Sequence, residues 1–192
     1  YVSLDRGKQF MLMDNQLPAV AVHDLVIHPK AKEVVVGTHG RSIYVGRVKE
    51  LQQLDSTLLA KPLHTFSPEP IRYRSSWGRE SIWDTEGPEV ELPLYCQESG
   101  KAKIQLLTEN DLVLKRFEAS CQQGLNYLSY DLTISEKILS EYNKYLNEDK
   151  DEDDKPIKVK VADDGQAYLY KGNYTLKVEL NGQTAEWELE VK

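Results

Sequence analysis

The sequence predicts a mainly β protein in two parts, a set of short antiparallel strands followed by a β-sandwich with one inserted helix. Two observations carry this reading. Short apolar–polar alternating runs separated by Gly, Pro, Asn and Asp recur along most of the chain, the pattern of half-buried strands joined by turns. Near the end, Gly172–Leu180 and Thr184–Val191 alternate on either side of Asn181-Gly182, the strongest short hairpin signal a sequence offers.

The composition sets bounds. With 192 residues and a 40% hydrophobic fraction, the chain suits one or two folded, soluble domains. A net charge of −7 and a pI near 5.2 argue against a general nucleic-acid or anionic-membrane surface. No apolar run approaches the roughly 20 residues of a membrane span. The chain begins without Met inside a hairpin-like stretch, so it reads as a fragment. Its two cysteines, Cys96 and Cys121, allow a disulfide, but two separate small apolar side chains are the favoured reading.

The first element is Tyr1 to Phe10, of the form Ser3-x-Asp5-x-Gly7-x-x-Phe10. Asp5 suits a turn in which its carboxylate accepts backbone N–H groups, Gly7 suits a positive φ, and Phe10 would pack the turn on a neighbouring strand. Ala21–Pro29 then reads as a strand ended by Pro, and Glu33–Thr38 as a β-branched strand buried on both faces. His39-Gly40-Arg41 is a tight turn into a third strand, Ser42–Arg47. Three such strands in series make most of a propeller blade. Val48–Leu59 has the spacing of a short helix. Their apolar faces (Val34, Val36, Ile43, Val45) would need covering by other parts of the protein.

The Ser3–Phe10 stretch resembles the Asp-box, or BNR repeat, of β-propellers in sialidases, other glycosidases and sortilin (VPS10-like) receptors. Leu17-Pro18, Val22-His23-Asp24-Leu25, His28-Pro29 and Val36–Val45 are similar to the closing blade of large bacterial sortilin-like proteins, commonly labelled glycosyl hydrolase. The resemblance covers about the first third of the chain. It implies that Ser3, Asp5, Gly7 and Phe10 are structural and do no catalysis, and that the protein is secreted, periplasmic or at the cell surface.

Residues 73–89 lack any period and read as a linker between a propeller part, 1–72, and a second domain, 90–192. Strands follow at Val90–Cys96, Ala102–Thr108, Leu112–Phe117 and Gly124–Leu132, a spacing that argues an immunoglobulin- or fibronectin-III-like sandwich. Gly124-x-Asn126-x-x-x-Tyr130-Asp131-Leu132 and Gly172-x-Tyr174-Thr175 resemble the immunoglobulin-like C-terminal domains of the same bacterial proteins, with Tyr130 where Trp is usual. Thr133-Ile134-Ser135-Glu136 has capping-box form, which predicts a helix over 134–146. An acidic loop, Asn147–Lys155, and a strand, Ile157–Val161, come next.

No stretch names a reaction. A glycosidase needs two carboxylates about 5–10 Å apart; of Asp5, Asp24 and Asp84, none reads better as an acid than as a structural residue, and Arg41 alone cannot hold a sialic acid. His23, His28 and His39 fit no standard metal spacing. Asp149-x-Asp151-x-Asp153 lacks the glycine and terminal glutamate of a calcium loop. Asn173-Tyr174-Thr175 is a formal glycosylation sequon on a strand. Tyr73, Trp77 and Trp83 could stack on a sugar, but plugging a domain interface is the favoured role. No catalytic residue, metal or cofactor is expected. The expected function is a non-catalytic structural or interaction region that packs on, or presents, its own propeller and has a protein or carbohydrate ligand, with self-association through open strand edges. The alternatives are part of a glycoside hydrolase whose site lies in other blades, and a carbohydrate-binding module.

Overall fold

The computed structural model describes residues 1–3, 7–10, 19–79, 87–148, 150–151 and 154–192. The chain is mainly β and falls into two compact units, Tyr1–Pro62 and Leu63–Lys192. This division lies before the expected 73–89 linker. Leu63–Thr65 is already a strand of the second unit, and Ile71 bridges to Val191 within it.

The first unit is a three-stranded antiparallel sheet in the order β1 (Val22–His28), β2 (Glu33–Thr38) and β3 (Ile43–Arg47). Gly40 takes φ +74° in the β2–β3 turn, where an L side chain would be strained. Opposed residues share a face in an antiparallel ladder, so register sorts the side chains. Leu25↔Val36 and Ile27↔Val34 mark one face; Val26↔Val35, Val35↔Val45 and Gly37↔Ile43 mark the other. Val34 and Val36 are buried with Val48. Ile43 and Val45 are 67% and 60% exposed. The expectation that all four are covered therefore fails for Ile43 and Val45, which lie on the face that Val48 does not cover. Glu33–Thr38 is likewise buried on one face rather than two. After the sheet, Asp55 caps the one-turn helix α1 (Ser56–Leu59) by accepting from Leu58 N at 2.8 Å.

The second unit holds a sheet of β4 (Leu63–Thr65), β5 (Val90–Cys96) and β8 (Gly124–Tyr130), and another of β6 (Gly100–Leu107), β7 (Val113–Cys121), β11 (Gly172–Leu180) and β12 (Gln183–Val191). Their orders are β4-β5-β8 and β12-β11-β6-β7, all antiparallel. One apolar core, with Leu92, Leu94, Ile104, Leu106, Leu176 and Trp187, draws on both sheets, an arrangement consistent with a β-sandwich. Trp187 Nε1 donates to Pro93 O at 2.8 Å, tying β12 to β5. Asn181 and Gly182 take φ +50° and +79°, and Leu180 faces Gln183. This is the two-residue hairpin that the Asn-Gly pair predicts. Cys96 and Cys121 are free and buried, and burial pushes the Cys121 thiol up to about 11.

The inserted helix starts later than the capping-box pattern predicts. Thr133–Ile134 forms β9 and pairs with β10 (Ala167–Tyr168), and Ser135 N donates to Leu114 O. The Thr133 hydroxyl is engaged with Asp131 and Lys115, so it cannot cap. A 3₁₀ turn, Glu136–Ile138, leads into α2 (Leu139–Tyr145).

Tyr142 and Tyr174 are buried with their hydroxyls hydrogen-bonded to each other. Burial pushes Tyr142 up to about 12. Tyr174 rises well above 10, from burial first and then from its neighbour Tyr142. A raised folded-state value leaves stability whole below the unfolded value of about 10, and stability is lost as pH climbs through the folded one. The melting temperature should therefore be insensitive to these groups below pH about 10 and fall between about 10 and 12, followed by tyrosinate absorbance. A flat profile to pH about 12 would contradict this.

Candidate functional site

The residues singled out in the sequence do not converge. Asp5, Trp83 and Asp84 lie outside the described residues, as do Asp149 and Asp153 of the acidic loop. Ser3 Oγ accepts from Gly7 N at 2.6 Å, and Gly7 has the positive φ, +85°, that suits its place in the motif. Phe10, however, is 65% exposed and does not anchor the turn on a strand. Asp24 is exposed, and its carboxylate accepts from Leu25 N. His28 Nδ1 accepts from Ala31 N, closing the β1–β2 turn, and His23 stacks on His39 with centroids 4.9 Å apart. No group of three His, Cys, Asp or Glu able to hold a metal occurs among the described residues. Asn173 bonds Glu109.

Tyr73 and Trp77 are brought together. Their rings meet edge-on at 5.3 Å, Tyr73 also meets Tyr170 at 5.0 Å, and Trp77 lies 6.1 Å from Tyr168. All four are half-buried, and the Tyr73, Trp77 and Tyr170 rings pack against the core of the second unit. The expected plug is thus a plug on the sandwich itself. The rings meet one another edge-on or tilted, and Trp83, the third ring of the expected set, lies outside the described residues.

Beside these rings runs a groove of about 680 Å³ whose opposite wall is residues 155–163. That wall forms no strand ladder, contrary to the sequence reading of Ile157–Val161, and the chain turns at Asp163. Its partners are two asparagines, Asn143 on the inserted helix and Asn147 in the turn that follows it. Asn147 donates to Ile157 O and accepts from Ile157 N at 2.9 and 2.8 Å. Asn143 does the same to Val159 at 2.9 and 2.7 Å. Two carboxamides spaced i, i+4 meet alternate backbone units and imitate a strand.

One edge of the wall is left over. Backbone groups of successive extended residues point to opposite edges, so those of Lys158 and Lys160 point away from α2. Among the described residues, nothing donates to or accepts from the Lys158 or Lys160 backbone. No α2 residue lines the groove. One end is closed at Gly78, where φ is +71° and an added Cβ would lie 2.6 Å from Ala162 Cβ and Tyr168 Cε2. Asp164 N donates to Gly78 O at that closure.

The rim is cationic. Arg74, Arg79, Lys150, Lys155, Lys158 and Lys160 line the groove, with Asp163 the one acid among the described lining residues. The Arg79 charge draws Tyr73 downward, although burial and then Tyr170 leave it raised overall. Sequence reading missed this cluster because its halves are about 80 residues apart; the Lys158-Val159-Lys160-Val161 alternation was its one local sign.

No protein-family model matches the sequence, and a search of curated proteins finds none significantly similar to it.

Proposed function

We propose that the chain is a non-catalytic structural and interaction region of a secreted, sortilin-like Asp-box propeller protein. In this reading the Tyr1–Pro62 sheet belongs to the propeller, and the Leu63–Lys192 unit is an immunoglobulin- or fibronectin-III-like sandwich that packs on it or presents it. The observation that carries the reading is the bare apolar face of the first sheet. Val26, Ile43 and Val45 are 56%, 67% and 60% exposed, and each such side chain left in water forgoes about 1.5–3 kcal/mol. A propeller blade has a neighbour stacked on each face, which would cover them. The sandwich assignment is supported by the three- and four-stranded sheet orders and by Tyr174, near the start of β11. Its hydroxyl donates to Tyr170 O four residues upstream, as in a tyrosine corner.

The motif residues act structurally. Asn126 bonds Gln122 and Gly124 across the β7–β8 turn. Tyr130 stacks on Phe117 and donates to Thr133 O. In the hydrolase alternative, the acids belong to other blades. The chain is therefore expected to leave aryl glycosides intact and to self-associate in sedimentation experiments, with the joint substitution Ile43→Lys and Val45→Lys restoring the monomer. Turnover lost on mutating a carboxylate of this chain would overturn the non-catalytic part. A wild-type monomer at high concentration would count against the bare face as a contact surface.

A further inference from the structure

We propose that the groove between residues 73–79 and 155–163 binds an extended acidic peptide, which adds to the open backbone edge at Lys158 and Lys160. This goes beyond the propeller reading and depends only on the second unit. Three features point to such a ligand. In the wall, Asn143 and Asn147 engage the backbone of Val159 and Ile157, while the backbone groups of Lys158 and Lys160 have no partner among the described residues, which leaves donors and acceptors at the two-residue repeat of a strand. A peptide strand supplies the matching groups, and side-chain pockets then set preference. The floor of Tyr73, Trp77, Tyr168 and Tyr170 is half-buried and braced by ring contacts, so it offers apolar surface at little ordering cost.

Charge selects the sequence. Among the described residues, six cationic side chains and one carboxylate line the groove. Lys158 and Lys160, both exposed on the wall itself, favour glutamate or aspartate at the ligand positions beside them. An anionic sugar would meet the same charges. It lacks, however, the regular backbone repeat that the edge presents.

The probe is a fluorescein-labelled octapeptide of alternating glutamate and valine, followed by anisotropy at low and moderate salt. Saturable binding is expected, weakened by salt because exposed charges are screened. The joint substitution Lys158→Glu and Lys160→Glu should weaken it by about tenfold or more through two reversed charges. Both side chains are exposed, so an unchanged melting curve is expected to accompany that loss. The same peptide N-methylated at every amide keeps its charges but cannot donate to a strand edge, and it should bind about tenfold more weakly or worse. Failure of the parent peptide to bind, or equal binding by the methylated peptide, overturns the proposal. So does tighter binding by a heparin-derived hexasaccharide or a single-stranded oligonucleotide of equal charge. None of these outcomes bears on the propeller reading, which concerns the other unit.

Discussion

Trp187→Ala should destabilise the second unit by about 3–5 kcal/mol, the range for removing a buried aromatic ring. Trp187 is 1% exposed and sits on β12, where its indole N–H reaches Pro93 O on β5. The substitution therefore opens a cavity and cuts a bond between the two sheets. Trp187→Phe separates these effects. Pro93 O keeps a second donor, Phe66 N at 3.0 Å, so no buried acceptor is orphaned. The smaller loss should be about 1–2 kcal/mol, from one hydrogen bond and part of the ring volume. Denaturant melts would read both. Equal losses for the two variants would mean that the bond, rather than the packing, dominates.

Asn143→Ala combined with Asn147→Ala should release the groove wall. It removes four hydrogen bonds to Ile157 and Val159 that water only partly replaces, at about 2–4 kcal/mol in total. Amide exchange gives the sharper readout. In the wild type, the Ile157 and Val159 amides should be protected while those of Lys158 and Lys160 exchange freely, an alternation that one saturated edge produces. The double variant should lose the protection at both positions. Uniform protection from 157 to 160 in the wild type would mean that both edges are engaged.

What could be read in the sequence was what is decided locally. Asn181-Gly182 specifies its hairpin because both residues tolerate positive φ, and Gly40 marks its turn for the same reason. The alternation in 33–47 specified strands but not which face is covered, since that depends on what Val48 packs against. Thr133 has the composition of a helix cap, yet Asp131 and Lys115 occupy its hydroxyl and a two-residue ladder to Tyr168 holds its backbone. Ile157–Val161 alternates like a strand, yet it joins no ladder. Its hydrogen-bond partners are side chains on a helix and on the turn that follows it, and no periodicity announces that. The cationic groove is assembled from two distant stretches, each of which reads alone as loop.

The propeller reading makes one demand above the others: in a longer polypeptide that carries the proposed neighbouring blades, the face of the first sheet that holds Ile43 and Val45 must be covered. Ile43→Cys and Val45→Cys variants can be labelled with a bulky maleimide, in the 192-residue chain and in the longer polypeptide. The native Cys96 and Cys121 are buried, with thiols raised by burial, so they should react slowly and leave the new thiols to report. The account predicts rapid labelling at both positions in the 192-residue chain and strong protection in the longer polypeptide. Equal rates in the two would show that no neighbouring blade covers this face, and would contradict it.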